Sequence, residues 1–332
     1  MTDPFDTVAG YLQEHVVVPI LWQLGWMKWE DLAGGWALFA VYGAAQVALM
    51  FAICMPLEKF LPVERWPDRS AVLTDVFYTV LQRVGLLPLV TFVGFYEAQT
   101  TLNAVLTDHG IVPPTLEMLF PWLLGRPVIS FLLYACLLDF AEYVRHRVSH
   151  KLRWWYALHS LHHAQRQMTF WSDDRNHLLD DLLGAVWFGT IALAIGVSPM
   201  QFPLLVLLLR LLESLSHANA RLDFGPVFGR LLVSPRFHRT HHGPGAAGRR
   251  SCNFGAVLPW WDMLFGTADF SADYTATGDV TASETLASGG YLAQQGAGVR
   301  RLVNDIRGDS RQPAPRPRGG GPGVRPANME SP

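Results

Sequence analysis

Cysteine is nearly absent from this 332-residue chain: Cys54, Cys136 and Cys252 are the three, and no spacing pairs them. That excludes a disulfide-stapled secreted scaffold and a cysteine zinc module alike. Charge is scarce as well, at 16% of residues against roughly 25% in an ordinary soluble domain. The formal net charge is −2, so no basic field invites nucleic acid, which is excluded as a partner. His-Glu-X-X-His, Cys-X-X-Cys-His and a glycine-rich dinucleotide fingerprint are all missing. A zincin protease is thereby disfavoured, and electrons for any redox chemistry have to come from outside the chain. The opening MTDPFD has no basic n-region, so no cleaved secretory signal is expected.

Apolar residues make up half of the chain, and they come in long runs. Gly34 to Met55 is 22 residues without a charge, enough at about 1.5 Å per residue to cross a hydrocarbon core of about 30 Å. A second span reads from Val72 to Tyr96, interrupted by Arg83, and a third from Pro127 to Leu138, before Asp139, Glu142 and Arg145 announce water. Leu182 to Leu209 holds 28 uncharged residues, too many for one span and fewer than the roughly 40 that two need. Pro199 in its middle disfavours helix at the residue before it, so a short helical hairpin is expected, with His177 and His217 on one side. Lys59, Arg65, Arg69, Arg145, Arg147, Lys151, Arg153, Arg166 and Arg175 fall on that side, against Lys28 and Arg126 opposite. The positive-inside rule makes that face cytoplasmic and puts the N-terminus outside.

The expected fold is all-α: a multi-pass membrane helical bundle with a cytoplasmic helical cap. Residues 1–33 read as an N-terminal interfacial segment and residues 34–270 as the membrane-embedded functional unit. Residues 271–332 read as a largely disordered tail rich in proline, glycine and arginine, with no chemistry of its own.

The crowded residue type is histidine. Ten of twelve lie between His146 and His242, and only His15 and His109 stand apart, as ordinary solvated or capping residues. On a helix Asp139, Tyr143, His146 and His150 share a stripe about 60° wide, with Glu142 beside it, so His146 and His150 can reach one metal region. His159-Ser-Leu-His162-His163 and His238-Arg-Thr-His241-His242 repeat an i, i+3, i+4 pattern in which one helix can serve two neighbouring metals. His177 and His217 each stand alone. Asp139 or Glu142 could accept a ring N–H and set the tautomer. Eight to ten imidazoles exceed the coordination number of one metal and imply two. Imidazole alone does not choose among iron, copper, nickel and zinc.

These motifs, in this order, resemble the fatty acid hydroxylase/sterol desaturase superfamily of membrane di-iron oxygenases, in its sterol desaturase-like branch. Arg175-Asn176-His177, His217-Ala218-Asn219, Ser234-Pro235-Arg236-Phe237-His238, Asn253-Phe254-Gly255 and Trp261-Asp262 through Thr267 extend the likeness over residues 35–270. The resemblance implies two iron ions, O2 as co-substrate, and an external donor such as a ferredoxin- or cytochrome b5-like reductase chain. The implied substrate is a membrane lipid: a sterol, hopanoid, carotenoid, fatty acyl chain or related lipid, hydroxylated or desaturated at a C–H bond. His146, His150, His159, His162, His163, His238, His241 and His242 match its motif ligands, and His177 and His217 its further histidines. Asp139, Glu142, Tyr143 and Asn219 are expected to support them from behind. Arg221 stands where some relatives carry a second histidine four residues after the one at 217, so one iron is expected to differ in its ligands. Zinc can replace iron by misloading. The composition points to a bacterial inner membrane. The competing reading is a histidine-rich zinc or divalent-cation membrane protein without redox chemistry, which would place its ligands at mid-membrane depth.

Overall fold

In a computed structural model of the chain, the described residues are 3–84, 101–111, 114–197, 202–244 and 251–309, apart from positions 103 and 272. Among them there is no strand beyond an isolated bridge between Pro62 and Ala220. Asp3 caps α1 (Pro4–Leu12) by accepting from the Phe5 N–H. With α2 (Val18–Gln23), α1 folds back on α3 (Glu30–Phe60), where Ala9, Val17, Ala33 and Ala37 bury one another. Small residues on both sides permit the close approach.

α4 (Ser70–Arg83) meets α3 at Gly43, where a Cβ would collide with the Arg83 carbonyl oxygen. Of the span read from Val72 to Tyr96, residues 85–96 lie outside the described residues. Arg83 is buried among partners: it donates to Asp174 (2.6 Å), Asp173 (2.7 Å) and Ser214 (2.7 Å). A guanidinium removed from water needs such compensation.

α5 (Pro127–Lys151) is one continuous helix of about 37 Å, opened by a proline at its first position and carrying His146 and His150 near its end. Leu152 breaks it, and α6 (Arg153–His163) follows. α7 (Leu178–Ala194) and α8 (Phe202–His217) both pack on α5, through Ala192, Leu205, Tyr134 and Leu138. The break expected around Pro199 falls at 198–201, outside the described residues. The outer ends of the two helices come together as expected: the first turn of α7 and the last residue of α8 both meet α6, through Asp180–His159 (2.9 Å) and His217–His162 (3.2 Å). Met27–Phe60 and Pro127–Lys151 are long and apolar enough to cross a membrane. Phe39, Leu49 and Phe51 on the first, and Val128 and Leu132 on the second, point outward.

The C-terminal region departs from expectation. Residues 271–309 are not a disordered tail: α11 (Glu284–Ser288) and α12 (Tyr291–Ile306) dock on the rest of the fold. Leu286, Tyr291 and Ala297 pack with Tyr78 of α4 and with Leu161 and Ala164 at the end of α6. The fully buried Arg175 ties this region down, donating to the carbonyls of Leu286 (2.5 Å) and Ala287 (2.9 Å) and to Asp75 (2.7 Å). Proline and glycine crowd the last residues, but Leu286, Tyr291 and Ala297 are enough to anchor the segment before them. Residues 310–332 lie outside the described residues.

Gly43→Val is expected to push α3 from α4 and destabilise the protein by about 1–3 kcal/mol. Thermal unfolding in detergent measures this, and an unchanged midpoint would contradict the contact.

Candidate metal centre

Four chain segments converge. α5 supplies His146 and His150, α6 supplies His159, His162 and His163, and α8 ends at His217. α9 (Pro235–His241), capped by Ser234, supplies His238 and His241, with His242 following as its C-cap. The rings sort into two groups: His146, His150, His159, His163 and His241, and then His162, His217, His238 and His242. Within each group the candidate ligand atoms all lie within 4.8 Å of one another. The groups adjoin, with the His163 and His242 rings stacked at 4.4 Å. Sequence neighbours His162/His163 and His241/His242 divide between the groups, because adjacent helical residues diverge by about 100°.

The hydrogen bonds fix which nitrogen faces inward. Carbonyl and carboxylate oxygens only accept, so each ring nitrogen beside one must be the N–H. His146 Nδ1 donates to the Phe254 carbonyl (2.9 Å), His159 Nδ1 to Asp180 (2.9 Å), His241 Nδ1 to the Cys252 carbonyl (2.7 Å) and His217 Nδ1 to the Glu213 carbonyl (2.8 Å). In the neutral form of these four rings that tautomer leaves Nε2 as a bare lone pair. The Nε2 atoms of His146, His159 and His241 are buried without a hydrogen-bond partner. His217 Nε2 lies 3.2 Å from His162 Nε2 and 3.0 Å from His238 Nε2, and His150 and His163 approach at 3.0 Å. Nitrogens about 2.1 Å from a shared metal sit about 2.9–3.4 Å apart, so the donor set fits two imidazole-bound metal ions.

Burial sets the protonation state to match. It pushes the pKa values of His162, His163, His238 and His242 well down, reinforced by neighbouring imidazoles, and that of His241 to about 3. Neutral rings are ready ligands.

The loop after α9 is built to aim one of the acceptors. Asp262, in α10 (Trp260–Phe265), accepts from the Phe254 N–H (2.9 Å), the Gly255 N–H (2.6 Å) and the Thr267 hydroxyl (2.6 Å). Asn253, at φ +58°, donates to the carbonyls of Phe237 and Asp269, both at 2.9 Å. Gly255 leaves no room for a side chain, since a Cβ would lie 2.6 Å from the Leu258 oxygen. These bonds hold the Phe254 carbonyl against His146.

Several expected residues sit elsewhere. His177, expected as a ligand, is outside both groups, and both its nitrogens are taken: Nδ1 accepts from the Leu179 N–H (3.1 Å) and Nε2 donates to the Gln295 carbonyl (2.9 Å). None of the four expected supporting residues hydrogen-bonds an imidazole. Asp139 accepts from the Val257 and Leu258 N–H groups and Trp261 Nε1. Glu142 pairs with Arg145 (2.6 Å), Tyr143 meets Thr267 and Arg147, and Asn219 bonds the backbone of Glu64. Spacing put them near the right face but could not say which neighbour arrives first. Sequence reasoning missed Asp180, which also accepts from Trp155 Nε1 (2.7 Å), and Asp173, 3.4 Å from His217 Nδ1. An aspartate just after a histidine, at a helix start, was the available signal. Arg221 lies away from the cage, donating to the Pro62 and Val63 carbonyls. His15 and His109 each bond the carbonyl four residues back. A cavity of about 910 Å³ reaches His150, His163 and His241 between α6 and the C-terminal segment, lined among others by Tyr156, Asp279 and Arg301.

Asp180→Asn is expected to weaken metal binding about 10–100-fold by releasing the His159 tautomer. Asp139→Asn should lower thermal stability and leave metal content at saturation unchanged, as elemental analysis of both variants would check. A selective metal loss in Asp139→Asn alone would contradict these roles. Because His162, His163, His238, His241 and His242 titrate below the free value of about 6.5, protons favour the opened cage, so acid below that pH works against the closed centre. Metal retained on dialysis should be complete above about pH 6.5 and decline progressively beneath it. Retention unchanged down to about pH 4, well under the free value, would contradict this.

The comparisons with known proteins fall on this region. Residues 131–267 match the fatty acid hydroxylase family. The chain is 27% identical over 254 residues to an ornithine lipid hydroxylase of Rhizobium tropici, covering 73% of this chain and 71% of that protein. It is 28% identical over 131 residues to an alkylglycerol monooxygenase of Caenorhabditis elegans, covering 39% of this chain and 25% of that protein. No solved structure matches. The segment that carries the histidine cage is thus similar to the fatty acid hydroxylase family and to two lipid-oxidising enzymes.

Proposed function

We propose that this protein is a membrane-bound non-haem di-iron oxygenase that hydroxylates a C–H position of a lipid, using O2 and electrons from an external carrier. One observation carries the reading: two adjoining groups of five and four imidazoles, with Nε2 of His146, His159 and His241 buried without a partner and the Nε2 atoms of His162, His217 and His238 drawn together. The names of both relatives support lipid oxidation, and favour hydroxylation over desaturation. The sterol desaturase-like branch stays in the proposal only as kinship, since neither relative's name points to a sterol.

Unactivated C–H bonds offer nothing polar to an acid, base or nucleophile. Iron held by these histidines would supply the redox chemistry with O2 that such a bond requires. The chain's own work is to hold and orient. His146, His150, His159, His163 and His241 would hold one metal and His162, His217, His238 and His242 the other. The Phe254, Cys252 and Glu213 carbonyls and Asp180 keep protons on the outer ring nitrogens. Burial excludes water that would quench the oxidant. We place the outward apolar faces of α3 and α5 in a bilayer, a bacterial inner membrane, with the cage at its cytoplasmic surface and the lipid arriving laterally.

Lipid mass spectrometry of a deletion strain against its complemented parent tests this. A lipid of the parent carrying one oxygen atom more than its counterpart in the mutant is the expected result. Identical lipid profiles, with purified protein that binds two zinc ions and cannot exchange them for iron, would overturn it in favour of a non-redox metal protein.

A further inference from the structure

α12 lies beyond residues 131–267, the segment matched to the family, yet it grips the residues that orient one half of the cage. Two N–H groups at the start of α7 have no partner within that helix. Gln295 of α12 accepts from one of them, Leu178 N–H, through Oε1 (2.9 Å). His177 accepts from the other, Leu179 N–H, and is itself held by the Gln295 carbonyl. The Gln295 amide also donates to the Asn176 carbonyl (3.0 Å) and the Tyr78 hydroxyl (3.1 Å). The fit is tight enough to need glycine at 298, where a Cβ would collide with His177 Cδ2. One residue further into that same turn stands Asp180, the acceptor for His159 Nδ1. α12 touches α6, the helix that bears His159, by other routes too: Arg153 pairs with Asp305 (2.8 Å), and Arg301 lies over the Tyr156 ring.

We propose that α12 is a clamp that positions the five-histidine half of the metal centre, with Gln295 and His177 holding the start of α7 so that Asp180 keeps His159 aimed inward. His177 is therefore a positioning residue and not a ligand. The inference rests on the reading of the two histidine groups as metal sites. It assigns a purpose to a C-terminal helix that composition alone leaves as tail. The Gln295–His177 contact reaches the cage through Asp180 and His159, whereas His217 of the other group is held by the Glu213 carbonyl on α8, so loss of that contact is read on one metal.

The test uses full-length protein in detergent loaded with cobalt(II), with stepwise chelator competition and the ligand-field spectrum as readouts. Wild type should bind two cobalt ions per chain. Gln295→Ala and His177→Ala should weaken one of them about 10–100-fold and leave the other unchanged. His177→Asn, which still caps α7, should restore most of the lost affinity. Wild-type affinities in both alanine variants, or equal weakening of both metals, would overturn the clamp. A His177→Asn variant as damaged as His177→Ala would overturn the positioning role in favour of ligation. Failure of wild type to bind two ions would instead strike the underlying metal-site reading.

Discussion

The centre depends on where each imidazole leaves its single proton. A neutral ring has one N–H and one lone pair, so an acceptor placed against one nitrogen dictates that the other is bare. Here Phe254, Cys252 and Glu213 offer backbone carbonyls and Asp180 a carboxylate, and four lone pairs are turned into the same buried space. Burial then keeps rings such as His241 and His242 uncharged. Tautomer and charge are set by parts of the protein that never touch a metal. That is why the loop around Asn253, Gly255 and Asp262 is bound so densely.

The same constraint explains the buried charges between the apolar helices and the cage. Arg83 from α4, buried, and Arg210 from α8, half-exposed, share Asp174, and Arg83 also holds Asp173, which approaches His217. On the other side Arg145 joins Glu142 to Asp180. Each cation is compensated by carboxylates that in turn face a histidine or the helix carrying one, so the network stiffens both groups at once. Buried pairs of this kind restrict geometry but add little net stability, because removing both charges from water costs about as much as their attraction returns. For the proposed oxygenase centre, restriction of geometry and exclusion of water matter more than stability.

Much of this was legible in the sequence because it follows from helical period. The pairing of His146 with His150 and the division of His162 from His163 are angular facts about a helix. So is the return of the Leu182–Leu209 segment, given its length and Pro199. What failed was of another kind. His177 carries no periodic partner, so nothing local distinguished a cap from a ligand. Asp139 and Glu142 lie near the correct face, but the Val257 and Trp261 N–H groups and Arg145 reach them first, and these come from loops and rotamers that spacing does not describe. Carbonyl acceptors such as that of Phe254 have no signature in residue type at all. The docking of α12 was hidden because proline and glycine after Arg307 coloured the reading of the segment before it.

Iron K-edge X-ray absorption on the anaerobically purified protein, with the iron-to-protein ratio determined on the same sample, addresses the central claim most directly. Two irons per chain, bound at about 2.0–2.2 Å by nitrogen donors with the multiple-scattering pattern of imidazole, is the result expected from nine converging histidines. A single iron per chain, or a coordination sphere dominated by carboxylate oxygen or sulfur, would contradict it.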